Sequence, residues 1–353
     1  MCDVCRLAQA KHGLRRIDTG PPRTDCNKEP QMIHWDAHVC LPLHPQASFA
    51  PIDRLHAAGV NYVSINVGMD MNPVTQIMSV LAGYRATVAA HPQRYRLVSS
   101  VADIEAARAT GQMAIGFDLE GAMPLLEQPA MVALYATLGV RQIHFAYNRN
   151  NSVADGCHDT TRGLTGLGRR MVDAVNAAGL LMDCSHTGRQ CSLEIMAASI
   201  QPVVFSHANP LALIDHGRNI TDAQIRACAA TGGVVCVSGV SLFLGQDNPT
   251  AQHIAQHAAY VADLVGVDHV GVGTDIGFAE APLNDTPPGG FDPAYWWPAS
   301  AGYANAIAGV RYTPVAAWQE LDAALQATGM SSDDAAKVMG GNMMRVARQV
   351  WRG

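Results

Sequence analysis

Two rhythms of apolar residues alternate along the chain. Short runs rich in Val, Ile and Leu are separated by Ala-rich stretches in which apolar positions recur at helical spacing. The runs predict eight strands, at 32–37, 60–66, 113–119, 140–146, 180–185, 202–206, 233–238 and 269–274. The stretches between them predict helices at 73–90, 101–109, 129–138, 165–178, 189–198, 221–230 and 251–265. This alternation is the pattern of repeated βα units around a parallel sheet, and eight strands is the number of an α/β, (β/α)8 TIM-type barrel. Handovers from helix to strand are punctuated by QPVVF after IMAASI and by the Gly pair before VVCV. Beyond the eighth strand, Glu280 to Tyr312 is rich in Pro, Gly and aromatics (DTPPGGFDPAYWWP) and too long for an ordinary connection, so it is expected to roof or wall a pocket. Two closing helices, near 314–328 and 332–351, are expected to pack on the barrel. No repeat or low-complexity linker interrupts the pattern. The expected organisation is a partly ordered N-terminal extension, 1–31, and a single barrel domain, 32–353.

Five of the apolar runs close on side chains that ligate metals: MIHWDAHVC, AIGFDLEGA, GLLMDCSHTG, PVVFSHANP and HVGVGTDIG. The candidates are His38, Cys40, Glu120, His186, His207 and Asp275, all at the C-terminal ends of predicted strands, where a parallel barrel assembles one site from many segments. His38 and Cys40, two apart on a strand, share a face, and imidazole with thiolate suits zinc or another borderline-soft metal. Glu120 is placed to bridge two metals, or else to cap a helix or pair with a surface cation. His186 and His207 each follow a Ser at a strand end, as ligands or as satisfied core histidines. Asp275 reads as ligand, general base or cap. Singly these signals are weak, but structural residues have no reason to cluster at one end of consecutive strands.

Composition narrows the partners. Of 353 residues 15% are charged and the net charge is −6, without a basic block, which gives no electrostatic case for nucleic acid or an anionic membrane. The start, MCDVCRLAQAKHG, lacks a charged region followed by an apolar one, and no run reaches membrane-spanning length. A cytoplasmic protein acting on a small molecule is expected, with a homodimer as an assembly open to it. The nine Cys are scattered, several in apolar strands such as Cys184 and Cys236, as reduced core thiols would be. Cys2 and Cys5 form a lone CxxC without a second pair at partner spacing, and read as ordinary thiols of a frayed end.

From about His34 to the last helix the chain resembles the membrane (renal) dipeptidase family of zinc peptidases, amidohydrolase-like barrels. The stretches that carry this are GLTGLGRRMVDAVNAAGLLMDCSHTG and PVVFSHANPLALIDHGRNITD, with YNRNNSVADGCHD, DHVGVGTD and KVMGGNMMRVARQV. The resemblance implies two zinc ions bridged by a glutamate and a water or hydroxide, and cleavage of dipeptides, including those with a C-terminal D-residue. By position it assigns His38 to the first metal, Glu120 to the bridge, and His186 and His207 to the second metal. It assigns Arg218 to the substrate carboxylate and Asp275 to acid/base work near the first metal.

Two positions depart from the family pattern. Cys40 stands where His-x-Asp is usual, and Tyr147 falls on a histidine that helps polarise the scissile carbonyl. A thiolate keeps the charge but softens the first site, so the expected complement is one or two zinc ions, with the ion at Cys40 the one put in question. Tyr147 still offers a hydrogen-bond donor to an oxyanion and a contact to substrate. Arg218, read without the family, is as readily a surface partner of Asp215 or Asp222. The same residues leave open a barrel acting on another amide or lactam, an isomerisation through the same polarised carbonyl, or a non-hydrolytic binding protein.

Overall fold

A computed structural model describes residues 32–278, 291–304 and 309–352. The N-terminal stretch 1–31, with Cys2 and Cys5, lies outside the described residues, as do 279–290 and 305–308 of the long aromatic connection. The strands are β1 (Trp35–Cys40), β2 (Tyr62–Met69), β3 (Tyr95–Leu97), β4 (Met113–Glu120), β5 (Val140–His144), β6 (Leu181–Asp183), β7 (Val203–Phe205), β8 (Val234–Val237), β9 (Val270–Val272) and β10 (Ile276–Gly277). All pair in parallel, in the order β10-β1-β2-β4-β5-β6-β7-β8-β9, with β3 on the side of β4. Strands β9 and β10 are pieces of one run: β9 pairs with β8 and β10 with β1. Gly273 N donates to Val237 O (3.1 Å) and Asp275 N to His38 O (2.9 Å), so the run closes the barrel. Gly273 is required at the crossing, because a Cβ there would lie 1.8 Å from Ser206 O.

Alternation decides what faces inward. Ser64 and Asn66 on β2 bond Asp118 and Glu120 on β4 across the interior face, while Val63, Ile65, Val67, Ile115, Phe117 and Leu119 pack in the main apolar core. Polar side chains therefore sit at zero or near-zero exposure inside the barrel and depend on one another for hydrogen bonds. Helix ends follow the sequence signals. Thr165 accepts from Gly168 N at the start of the helix Gly166–Ala178, and Gly179 ends it at φ 67°.

The eight expected strands are present with shifted ends. The first begins at Trp35, not at 32, and runs through His38 and Cys40, so these ligand candidates are strand residues. Several others are shorter than their apolar runs: 180–185 pairs only over Leu181–Asp183, and 202–206 only over Val203–Phe205. Short β3 falls between two correctly placed helices in a stretch with no alternation to mark it. The single closing helix expected over 332–351 is two, Ser332–Ala336 and Asn342–Val350, with a widened turn at Lys337–Gly341 between them. Gly340 lies against the start of β1, where a Cβ would meet Ile33 O at 2.6 Å, and this close approach breaks the helix. Among the described residues, no helix is long and apolar enough to cross a membrane.

Candidate metal centre

The barrel brings His38, Cys40, Glu120, His186, His207 and Asp275 to one place. Glu120 is at the centre: its Oε1 lies 3.0 Å from His186 Nε2, 3.4 Å from His207 Nε2 and 3.5 Å from His38 Nε2. Cys40 Sγ is 3.4 Å from His38 Nε2, and Asp275 Oδ1 is 3.8 Å from the same nitrogen. Two compact donor sets result, His38–Cys40–Glu120 and Glu120–His186–His207, sharing the glutamate. Each outer group is fixed from behind. Asn66 Nδ2 donates to Glu120 Oε2. Asn148 Oδ1 lies 2.7 Å from His186 Nδ1, and Ser206 Oγ lies 2.7 Å from His207 Nδ1. Asp118 Oδ1 lies 3.1 Å from His38 Nδ1, and neither atom bonds elsewhere. These contacts leave each Nε2 turned toward the glutamate.

The arrangement fits a cation. His186 Nε2 and His207 Nε2 are only 2.9 Å apart. If both Nδ1 atoms carry their protons to Asn148 and Ser206, two lone pairs and a carboxylate oxygen meet with no proton among them, which repels unless a positive ion lies there. The electrostatics agree. Burial holds the His186 imidazole well below its ordinary range, with Arg218 adding to the effect, and burial does the same for His207, with His38 adding. Both imidazoles are therefore neutral at physiological pH, the form in which a histidine can bind a metal. Burial lifts the Glu120 carboxyl to about 7 against the opposing pull of His38, and raises Asp275 likewise. For His38 burial works downward, but Asp118 and Glu120 carry the imidazole well above its usual value. Burial pushes the Cys40 thiol up to about 12. Without a cation the cluster is short of positive charge and retains protons.

Backbone strain is concentrated here. His186, Asp275 and Asn148 adopt φ of 63°, 57° and 56°, left-handed values that non-glycine residues avoid. Gly121, just after Glu120, has φ 125°, and a Cβ on it would collide with the Asp70 carboxylate at 2.0 Å. Asp70 is in turn tied to the site, accepting from Tyr147 N (2.9 Å) and Asn151 Nδ2 (3.0 Å).

Arg218 is not a surface partner. It is 2% exposed and, among the described residues, no carboxylate lies within ion-pair distance, so pairing with Asp215 or Asp222 is excluded. Its Nη2 donates to His207 O (2.9 Å) and its guanidinium lies over Phe243 at 5.6 Å. Arg218 Nε approaches His186 Nδ1 at 3.1 Å. Arg218 Nε–H can only donate, so it competes with the Asn148 contact for that nitrogen. Tyr147 stacks on His186 with ring centroids 4.3 Å apart, and its hydroxyl accepts from Trp297 Nε1 at 3.0 Å. Tyr147, Phe243, Trp297, Tyr303 and Val240 form a small apolar cluster separate from the barrel core.

The sequence reading passed over several residues that the structure places in the site. His144 ends β5, fully buried, with nitrogens within ligand spacing of His38 and His207. Its position at a strand end, in QIHFAYN, is the signal that singled out the others. Asp183 lies inside the quoted run LMDCSH. Asn66 carried no motif; Asn148 lies in the quoted run YNRNNSVADGCHD and Trp297 in the aromatic connection expected to roof the pocket, but their individual contacts depend on partners far away in sequence.

Comparisons with known proteins give the family and the fold. The family model for membrane dipeptidase (peptidase family M19) matches residues 44–286. The dipeptidase tcpJ of Claviceps purpurea is 25% identical over 265 residues, covering 74% of this chain and 56% of its own. The chain thus spans little more than half the length of that curated relative. An amidohydrolase from Pseudomonas aeruginosa superposes with a TM-score of 0.79 at 26% identity, over 91% of this chain and 97% of that one. A metallo peptidase from Rhodobacter sphaeroides, solved with a phosphinate mimic of the dipeptide L-Ala-D-Ala, superposes with a TM-score of 0.71 at 19% identity, over 91% and 99%. At that identity the likeness concerns the fold.

Proposed function

This chain belongs to the membrane dipeptidase family, and on that premise we propose that it hydrolyses small dipeptides with a free C-terminal carboxylate, including those with a C-terminal D-residue, using one or two zinc ions. The observation that carries the reading is Arg218: a guanidinium 2% exposed, beside a metal-ligand cluster and without a carboxylate partner among the described residues. A buried unpaired charge is costly, and an anionic ligand removes the cost. The planar fork suits a carboxylate, and a relative's complex with a dipeptide mimic supports a substrate of that size.

Glu120, His186 and His207 would hold one ion, and His38 and Cys40 with Glu120 would hold a second where one binds. Such an ion supplies Lewis acidity and makes a nucleophile from water at neutral pH. Arg218 fixes the substrate by its carboxylate, and this sets the register of the scissile bond against Glu120. Tyr147, whose hydroxyl oxygen is occupied by the Trp297 indole N–H, has its own proton free to donate to the carbonyl oxygen as charge develops. Asp275 accepts the proton of the attacking water and returns it to the leaving amine; its raised proton affinity suits it to both steps. The described residues hold free buried thiols, Cys184, Cys191, Cys228 and Cys236, and a reducing cytoplasmic setting accords with them.

Cys40 and Tyr147 favour a second reading, hydrolysis of another amide or a lactam, since both alter the reacting centre. A panel of L,L and L,D dipeptides, their C-terminal amides and simple lactams, assayed on metal-replete protein, decides between them. Turnover confined to free-carboxylate dipeptides supports the proposal; turnover of lactams or amides alone refutes it.

A further inference from the structure

We infer that His144 is a positioning residue of the metal centre: with Asp183 it holds Ser206, whose hydroxyl oxygen meets His207 Nδ1 and keeps that ring turned toward the glutamate. The inference rests on the metal-centre reading above. His144 ends β5 in register with Asp183 on β6, and the two side chains meet inside the barrel with His144 Nε2 2.6 Å from Asp183 Oδ2. The same nitrogen lies 3.2 Å from Ser206 Oγ, which is 2.7 Å from His207 Nδ1. His144, Asp183, Ser206 and His207 are all fully buried, so no water replaces a lost partner.

The contacts join the four side chains into one string. Asp183 Oδ1 accepts from Ser185 N (2.8 Å) and Ser206 N (3.2 Å). These bonds and His144 together outweigh burial and keep Asp183 ionised. His144 Nε2 therefore carries a proton, aimed at Asp183 and shared with Ser206 Oγ. When His207 presents Nε2 as a lone pair, its Nδ1 proton goes to the same serine oxygen, and both serine lone pairs are filled. Its own proton then goes to Ser185 Oγ, 3.3 Å away. The string thus holds Ser206 Oγ behind the His207 ring, with Nε2 on the side of Glu120 and His186. Without His144 the serine loses a donor that fixes its side chain, and the His207 ring is held less firmly from behind. The His144 ring is also packed among the three imidazoles, with centroids 5.4 Å from His207, 5.8 Å from His38 and 6.1 Å from His186.

The test compares wild type, Ser206→Ala, His144→Leu, His144→Gln and the Ser206→Ala/His144→Leu pair, using zinc and cobalt(II) as probes. Metal equivalents at saturation, affinity by chelator competition, the visible cobalt(II) spectrum and the melting temperature of the metal-free proteins are measured. Ser206→Ala and His144→Leu are each expected to weaken binding about 10- to 100-fold and to shift the cobalt spectrum, with saturating stoichiometry unchanged. The pair is expected to be no weaker than the worse single variant, because both act on one string, and His144→Gln, which retains a donor toward Asp183, is expected to recover part of the loss. Ser206→Ala keeps the His144–Asp183 pair, so it tests the inference even if His144→Leu does not fold. Wild-type affinity and spectrum in a folded Ser206→Ala protein overturn it. Loss of a whole metal equivalent at saturation in His144→Leu also overturns it, by making His144 a ligand. A wild-type protein that takes up no metal overturns the metal-centre reading itself.

Discussion

Replacing Arg218 probes the proposed substrate contact most directly. The residue is 2% exposed, so a bond from its guanidinium to a substrate carboxylate is formed out of water and is little screened. One Nη2 proton is committed to His207 O and the Nε proton faces His186, which leaves the two Nη1 protons and one on Nη2, of which a bidentate carboxylate would take two. At about 1.5–3 kcal/mol for a hydrogen bond to a charged group, their loss costs about 2–4 kcal/mol of transition-state binding, or roughly 30- to 1000-fold in kcat/KM. Arg218→Met is the variant of choice, since it keeps the packing over Phe243 and removes the charge. Steady-state assays on Ala-Ala-type L,D dipeptides and their C-terminal amides give the readout. Wild type should prefer the free acid by a factor of that order, and the variant should lose the preference, with the amide rate nearly unchanged. Because a buried charge with no carboxylate at ion-pair distance among the described residues is removed, metal-free Arg218→Met should melt no lower than wild type. An unaltered acid-to-amide ratio in a folded, metal-replete Arg218→Met protein would refute the reasoning.

Further outcomes follow from the same geometry. If Cys40 is a ligand, Cys40→Ser should lose one metal equivalent and Cys40→Asp should keep two, as measured by elemental analysis; equal stoichiometry in all three proteins would leave Cys40 a packing residue. The cobalt(II) form of wild type should show a sulfur-to-metal absorption band that Cys40→Asp lacks. Metal affinity should fall steeply with acid below about pH 7, because Glu120, raised by burial to about 7, and His38, also raised, must shed protons to bind. Chelator competition between about pH 6 and 8, with proton release on loading, checks the sign; affinity independent of pH would contradict it. Trp297→Phe, which removes the indole N–H held by Tyr147, should lower kcat several-fold with little change in KM, and should add nothing to Tyr147→Phe. A large rise in KM alone would make Trp297 a substrate contact instead.

The sequence read well where the physics is local or periodic. Strand positions, helices such as Val101–Ala109 and Ala251–Val265, and the ends marked by Thr165 and Gly179 follow from side-chain size, alternation and capping, which neighbours along the chain decide. The candidates His38, Cys40, Glu120, His186, His207 and Asp275 were legible because a parallel barrel gathers the ends of its strands, so a rule of position stood in for coordinates. Strand ends were less legible, since register with a neighbour, not the apolar run, decides how far pairing continues. Arg218 shows the limit clearly. In HGRN it is as easily an exposed ion-pair partner, and only burial, with no carboxylate among the described residues in reach, makes it an anion site. His144 shows the same from the other side: alone it is an apolar-strand histidine, and its part appears when β5, β6 and β7 bring Asp183, Ser206 and His207 around it. The sequence by itself determined the elements and the kinds of ligand at their ends. The tertiary structure decided which nitrogen faces the centre, which charge is left unpaired and which hydroxyl is held, because those depend on distances between residues remote in the chain and on the exclusion of water around them.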